Sequence, residues 1–108
     1  MRRPEDFREA VRGGARSGRD AIVVHLAPGD GNAKVGFVVS RGVGNAVTRN
    51  LVKRRLRAIV SHHLDAIPAG ARLVVRAHPT AARTEYVELE RQLGSALNRA
   101  LDRVAASR

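Results

Sequence analysis

Between Gly31 and Leu64 the chain contains no aspartate or glutamate. Within that segment the stretch AVTRNLVKRRLRAIV (46–60) crowds the cations Arg49, Lys53, Arg54, Arg55 and Arg57 together and threads apolar residues between them. A helix is the regular conformation that separates the two kinds of side chain. With successive residues turned by about 100°, Val52, Leu56, Ile59 and His63 fall on one side, with Val60 at its edge. Arg49, Asn50, Lys53, Arg54 and Arg57 gather on the neighbouring side within an arc of about 140°; Arg55 stands apart. Such a helix is stable only if its apolar side is laid on something. The rest of the chain must therefore supply a receiving surface.

Three β-branched runs can supply it: AIVVHL (21–26), KVGFVVS (34–40) and RLVVRA (72–77). The first two are joined by PGDGN, a turn sequence, and read as an antiparallel hairpin. RRPEDFREAVR (2–12) fits a short amphipathic helix. Pro4 is tolerated in its first turn, Glu5 and Asp6 suit its N-terminal end, and Gly13-Gly14 stops it. Gly42-Val-Gly44-Asn45 lets the chain leave a strand tightly and enter the basic helix, with Asn45 as N-cap. That helix is expected over 46–64, ended by Pro68-Ala-Gly70. A last helix over 84–104 carries a broad apolar stripe of Val87, Leu89, Leu93, Ala96, Leu97, Ala100, Leu101 and Val104. The order α-β-β-α-β-α in 108 residues points to one α+β domain, residues 1–108, with helices packed on a small sheet.

Composition narrows the function. Lys and Arg number 20 against 10 Asp and Glu, a formal +10, and Lys34, Arg41, Arg49, Lys53, Arg54, Arg55 and Arg57 place +7 in the acid-free segment. A preference for Arg over Lys could come from coding bias, but bias does not clear acids from one block. A solvated helix usually interleaves Glu with its cations, because like charges at i,i+4 repel by a few tenths of a kcal/mol. Here Arg49/Lys53 and Lys53/Arg57 accept that repulsion, which a polyanion would relieve through guanidinium–phosphate pairing. The chain is expected to be a soluble cytoplasmic protein that binds nucleic acid. With no cysteine it has no disulfide and no thiolate metal site.

Rival readings carry less. GVGNAV lacks the third small residue and the acidic partner of a dinucleotide fingerprint. His25, His62, His63 and His78 could suggest acid–base cleavage of RNA, yet none has an obvious carboxylate orienter nearby in sequence, and no HExxH pattern exists for a metal. A membrane-surface helix would need its apolar side exposed, whereas here that side must cover the sheet. Phe7, Phe37 and Tyr86 are the only aromatics, too few for a base-stacking sheet of the RRM kind. A structural RNA-binding protein of ribosomal type and a histidine nuclease remain as alternatives to be separated by experiment.

EDFREAVRGG, VGFVVSRGVGNAVTRNLVKRRLR and LVVRAHP together resemble the protein subunit of bacterial ribonuclease P over nearly the full chain. The resemblance implies an α-β-β-β-α-β-α two-layer sandwich, ribosomal-protein-like, with a left-handed crossover. It implies an accessory subunit of an endonuclease whose catalytic site and Mg²⁺ ions belong chiefly to a catalytic RNA and the substrate, with no catalytic residue in the protein. The reaction removes the 5′ leader of precursor tRNA. Partners would be the catalytic RNA and precursor tRNA, with no membrane. The implied RNA-binding positions are Arg41, Arg49, Asn50, Lys53, Arg54 and Arg57; the implied leader cleft is lined by Phe7, Val11, His25 and Val38. Leu51 stands where the family usually has Arg, with Arg55 the nearest substitute cation. Val11 and His25 stand where aromatics are common.

Overall fold

The computed structural model describes residues 14–106. The N-terminal helix expected over 2–12, and with it Phe7 and Val11, lies outside the described residues. Four strands form one sheet: β1 (Ala15–Gly18), β2 (Ile22–Ala27), β3 (Lys34–Val39) and β4 (Arg72–Ala77). Helix α1 (Ala46–Ser61) connects β3 to β4, and α2 (Tyr86–Ala106) closes the described chain.

The spatial order is β1-β2-β4-β3. This overturns the expected hairpin of β2 with β3. β4 lies between them, antiparallel to β2 and parallel to β3. Burial explains the order. β2 is buried at every position and β4 at four of six, so both need neighbours and cover on each side. β3 is buried only at Gly36 and takes the edge. The PGDGN loop crosses the end of β4 instead of turning back. Lys34 N donates to Ala71 O at 2.9 Å, and Arg72 Nη1 donates to Gly70 O at 2.5 Å. Gly70 has φ +80°, and a Cβ there would stand 2.1 Å from Gly29 O, so this crossing requires glycine.

β1 was not apparent from residue pattern alone, because ARSG has little strand propensity; the family resemblance supplied it. Pairing with β2 from Ala15↔Leu26 to Gly18↔Val23 makes it a strand, and side-chain bonds tie it to α2. Arg19 Nη2 donates to Ser95 Oγ at 2.9 Å, and an Arg103 guanidinium nitrogen donates to Arg16 O.

Both helices cover one face of the sheet. Val52, Leu56, Ile59 and Val60 of α1 and Leu89, Leu93, Ala96, Leu97, Ala100 and Val104 of α2 meet Ile22, Val24, Leu26, Leu73 and Val75 in a single core. Val87, counted in the apolar stripe, is instead 74% exposed, in the first turn of α2 and clear of the sheet. α1 is also shorter than expected. It ends at Ser61, tightens through His62 N→Ile59 O and His63 N→Val60 O, and gives way to a 3₁₀ turn at Leu64–Ala66. That turn brings Ile67 back into the core. No helix among the described residues is long and apolar enough to cross a membrane.

Candidate nucleic-acid interface

The start of α1 is fixed by three local devices. Ser40–Gly44 closes a 3₁₀ turn through Val43 N→Ser40 O and Gly44 N→Arg41 O. Gly44, at φ 157°, packs so closely on Thr48 that a Cβ would approach its side chain at 2.9 Å. Asn45 then caps the helix as expected, its Oδ1 accepting from Thr48 N at 2.9 Å. No acid occupies the first turn, so the positive end of the helix dipole is left unneutralised.

Along the outer side of α1, Val47, Asn50, Lys53, Arg54 and Arg57 line an open groove of about 520 Å³. Asn50, Arg54 and Arg57 are exposed, while Lys53 is half-buried. Arg49, in the first turn of α1, is half-buried, and its Nε is buried with no hydrogen-bond partner among the described residues. A buried donor left unmatched costs about 1–3 kcal/mol, and a guanidinium so placed is suited to an acceptor arriving from outside. Arg41 lies apart, exposed in the preceding 3₁₀ turn. Arg55, half-buried, and Leu51, exposed, are one turn apart on the same side of α1, and neither lines the groove. Val47, 78% exposed, is a groove residue the charge pattern passed over. Its wheel position beside Arg54 was the signal that could have found it.

The other face of the sheet holds the remaining candidates. The register places Arg16, His25, Val74 and Gly36 in one row, and Gly18, Val23, Arg76 and Val38 in the next. His25 and Val38 therefore share a face, with β4 between them, away from the core. His25 is buried. Burial, and then the charges of Arg16 and Arg76, hold its imidazole below the ordinary histidine pKa. Among the described residues the charged neighbours acting on it are cations, not the orienting carboxylate a general base would need. His62 sits 3.4 Å from Glu90 on the exposed surface, remote in the fold from His25. Among the described residues, no group of three or more His, Asp or Glu side chains is placed to hold a metal ion.

Residues 1–101 match the family model described as Ribonuclease P. The chain belongs to the ribonuclease P protein family. It is 54% identical over 97 residues to a ribonuclease P protein component of a Nocardioides species, covering 86% of this chain and 83% of that one. Its identity to the counterpart of Streptomyces bikiniensis is 49% over 111 residues, covering 94% and 90%. The RNase P protein of Thermotoga maritima superposes with a TM-score of 0.78 at 27% identity over 92% of this chain and 94% of that one. That of Staphylococcus aureus has the same fold, with a TM-score of 0.81 at 24% identity over 93% of each. Membership makes the chain an accessory protein component of the tRNA-processing ribonucleoprotein, partnered with its RNA.

Proposed function

We propose that the chain binds the catalytic RNA through the groove of α1 and the 5′ leader of precursor tRNA through the opposite face of the sheet. In this way it assists endonucleolytic formation of the mature 5′ end in the cytoplasm. The observation that carries this reading is the acid-free groove of Asn50, Lys53, Arg54 and Arg57 on the outer side of α1. Its role is electrostatic. Guanidinium forks at fixed helical spacing neutralise phosphates and release counterions, which favours compact RNA and close approach of the substrate. On the sheet, Val38 offers a neutral surface to leader bases beside the largely covered His25, flanked by the exposed Arg16 and Arg76 for the backbone. We assign Mg²⁺ to the RNA and the substrate, whose phosphate oxygens are the hard ligands this cation prefers.

The test is precursor-tRNA cleavage at low Mg²⁺ with the cognate RNA, with and without the protein. Correct 5′ maturation only when both are present supports the reading. A protein that binds the RNA without affecting cleavage would be a structural RNA-binding protein. Cleavage by the protein alone, lost on His→Ala change, would make it a nuclease.

A further inference from the structure

Arg57 borders two depressions of different character. On one side it closes the basic groove with Asn50, Lys53 and Arg54. On the other it forms the lip of a hollow of about 160 Å³ walled by Val35, Phe37, Val60, Ser61 and Leu64. This hollow opens where the edge strand β3 meets the C-terminal end of α1. Val35 and Phe37 point to the core side of the sheet but are only partly buried, and among the described residues β3 is the last strand in the sheet order. Leu64, carried out by the turn that ends α1, is 54% exposed. Three large apolar side chains thus line one open hollow, a patch that would be stabilised by whatever covered it.

The chemistry of the rim selects the occupant. The Arg57 guanidinium lies 5.9 Å from the centroid of the Phe37 ring, and Lys53 is one turn away on the same side of α1. An apolar protein side chain filling the hollow would desolvate Arg57 without supplying an anion. A nucleotide supplies both parts, a flat ring with apolar faces and a phosphate one bond system away. The volume suits one ring system and not a helix.

We propose that the hollow between β3 and the end of α1 receives one unpaired base of an RNA strand whose phosphates run through the adjoining basic groove. The base stacks on Phe37 and is covered by Leu64, while Arg57 exchanges its place over the ring for a phosphate. The proposal rests on the reading of the groove as an RNA site. It is distinct from the leader surface, since Val35 and Phe37 lie on the opposite side of β3 from Val38. The slot grips without reading sequence. Its only hydroxyl, Ser61 Oγ, already donates its proton to Ala58 O at 2.5 Å and keeps only accepting capacity, too little to tell the four bases apart. Purines should be held better than pyrimidines through stacking area alone.

The full-length protein is titrated with a short oligoadenylate and with an abasic oligomer of equal length and charge, across a range of salt. The expected result is about ten-fold or tighter binding of the oligoadenylate, the scale of one base stack. Leu64→Ser and Phe37→Leu, both checked for folding by circular dichroism, should narrow that ratio to about two-fold or less and leave the salt slope unchanged. Arg54→Ala should lower the salt slope and keep the ratio. Equal binding of both oligomers by the parent protein, or an unchanged ratio in both slot variants, overturns the slot and leaves the groove standing. Absence of salt-dependent binding to either oligomer removes the groove reading, and the slot with it.

Discussion

Arg54 and Gln92 show how differently two polar side chains on helices are used. Arg54 is exposed and lines the groove, so Arg54→Ala should shift stability by no more than about 0.5 kcal/mol. It should nevertheless weaken RNA binding measurably by anisotropy and reduce precursor processing; unchanged assembly and processing would count against the proposed interface. Gln92 is buried, and its Oε1 accepts from Ala21 N at 2.7 Å while its Nε2 donates to Glu88 Oε2 at 2.9 Å. Hydrogen bonds from Arg91 and then Gln92 hold the Glu88 carboxyl down at about 2. Gln92→Leu leaves the buried Ala21 N–H unmatched and should cost about 1–3 kcal/mol in urea unfolding, with groove affinity retained. His25 makes a pH prediction. Its folded pKa lies below the unfolded 6.5, so the unfolded chain takes up the proton first as pH falls. The stabilising contribution is therefore complete above about 6.5 and is lost as pH drops from there toward the folded value. His25→Phe should show a smaller fall in urea midpoint between about pH 7.5 and about pH 5.5 than the parent protein. The pairs Glu88/Arg91 and Glu88/Gln92 follow from helical spacing, but Gln92 meets Ala21, and His25 meets Arg76, only after the sheet has formed.

At the scale of elements, α1 was legible nearly in full. A helix needs only local periodicity and a cap, and both are written into AVTRNLVKRRLRAIV and the Asn45 before it. Asn45→Ala should cost about 1 kcal/mol, seen as a lower unfolding midpoint, by leaving the Thr48 N–H uncapped. The strands were legible as segments but not as neighbours. The turn-like PGDGN suggested a hairpin, and the competing demand that won was burial of β4 on both edges. Gly70 is where that choice is enforced. Gly70→Ala meets both an unfavourable φ and the Gly29 carbonyl, and should destabilise by more than about 1 kcal/mol in thermal unfolding. Retention of the parental melting temperature would show that the crossing can relax. β1 was illegible from propensity, since a four-residue strand of ARSG exists only because β2 offers it an edge and α2 anchors Arg16 and Arg19.

At the scale of the molecule, the sheet separates two surfaces. The cations of α1 face outward on the helix side, while the rows bearing Arg16, His25, Arg76 and Val38 face the other way. With a formal charge of +10, binding of RNA should weaken steeply with salt. Each phosphate-contacting cation removed from the groove, Lys53 or Arg54, should lower the log–log slope by about 0.7–1 unit. Removing Arg55, which lies outside the groove, should leave that slope close to the parent value. Equal slopes for all three variants would place the RNA elsewhere.

Sequence by itself determined the basic helix, its apolar side and its cap, the α+β class, and the clustering of charge that points to a polyanion. These follow from spacing along one element and from composition, which need no knowledge of neighbours. Tertiary structure alone decided that β4 divides β2 from β3, that Val87 stays in water, and that Arg49 finds no partner for its Nε among the described residues. It also decided that Phe37 meets Arg57 at the rim of an apolar hollow. Each depends on which distant segments touch, and that is set by competition for burial across the whole chain.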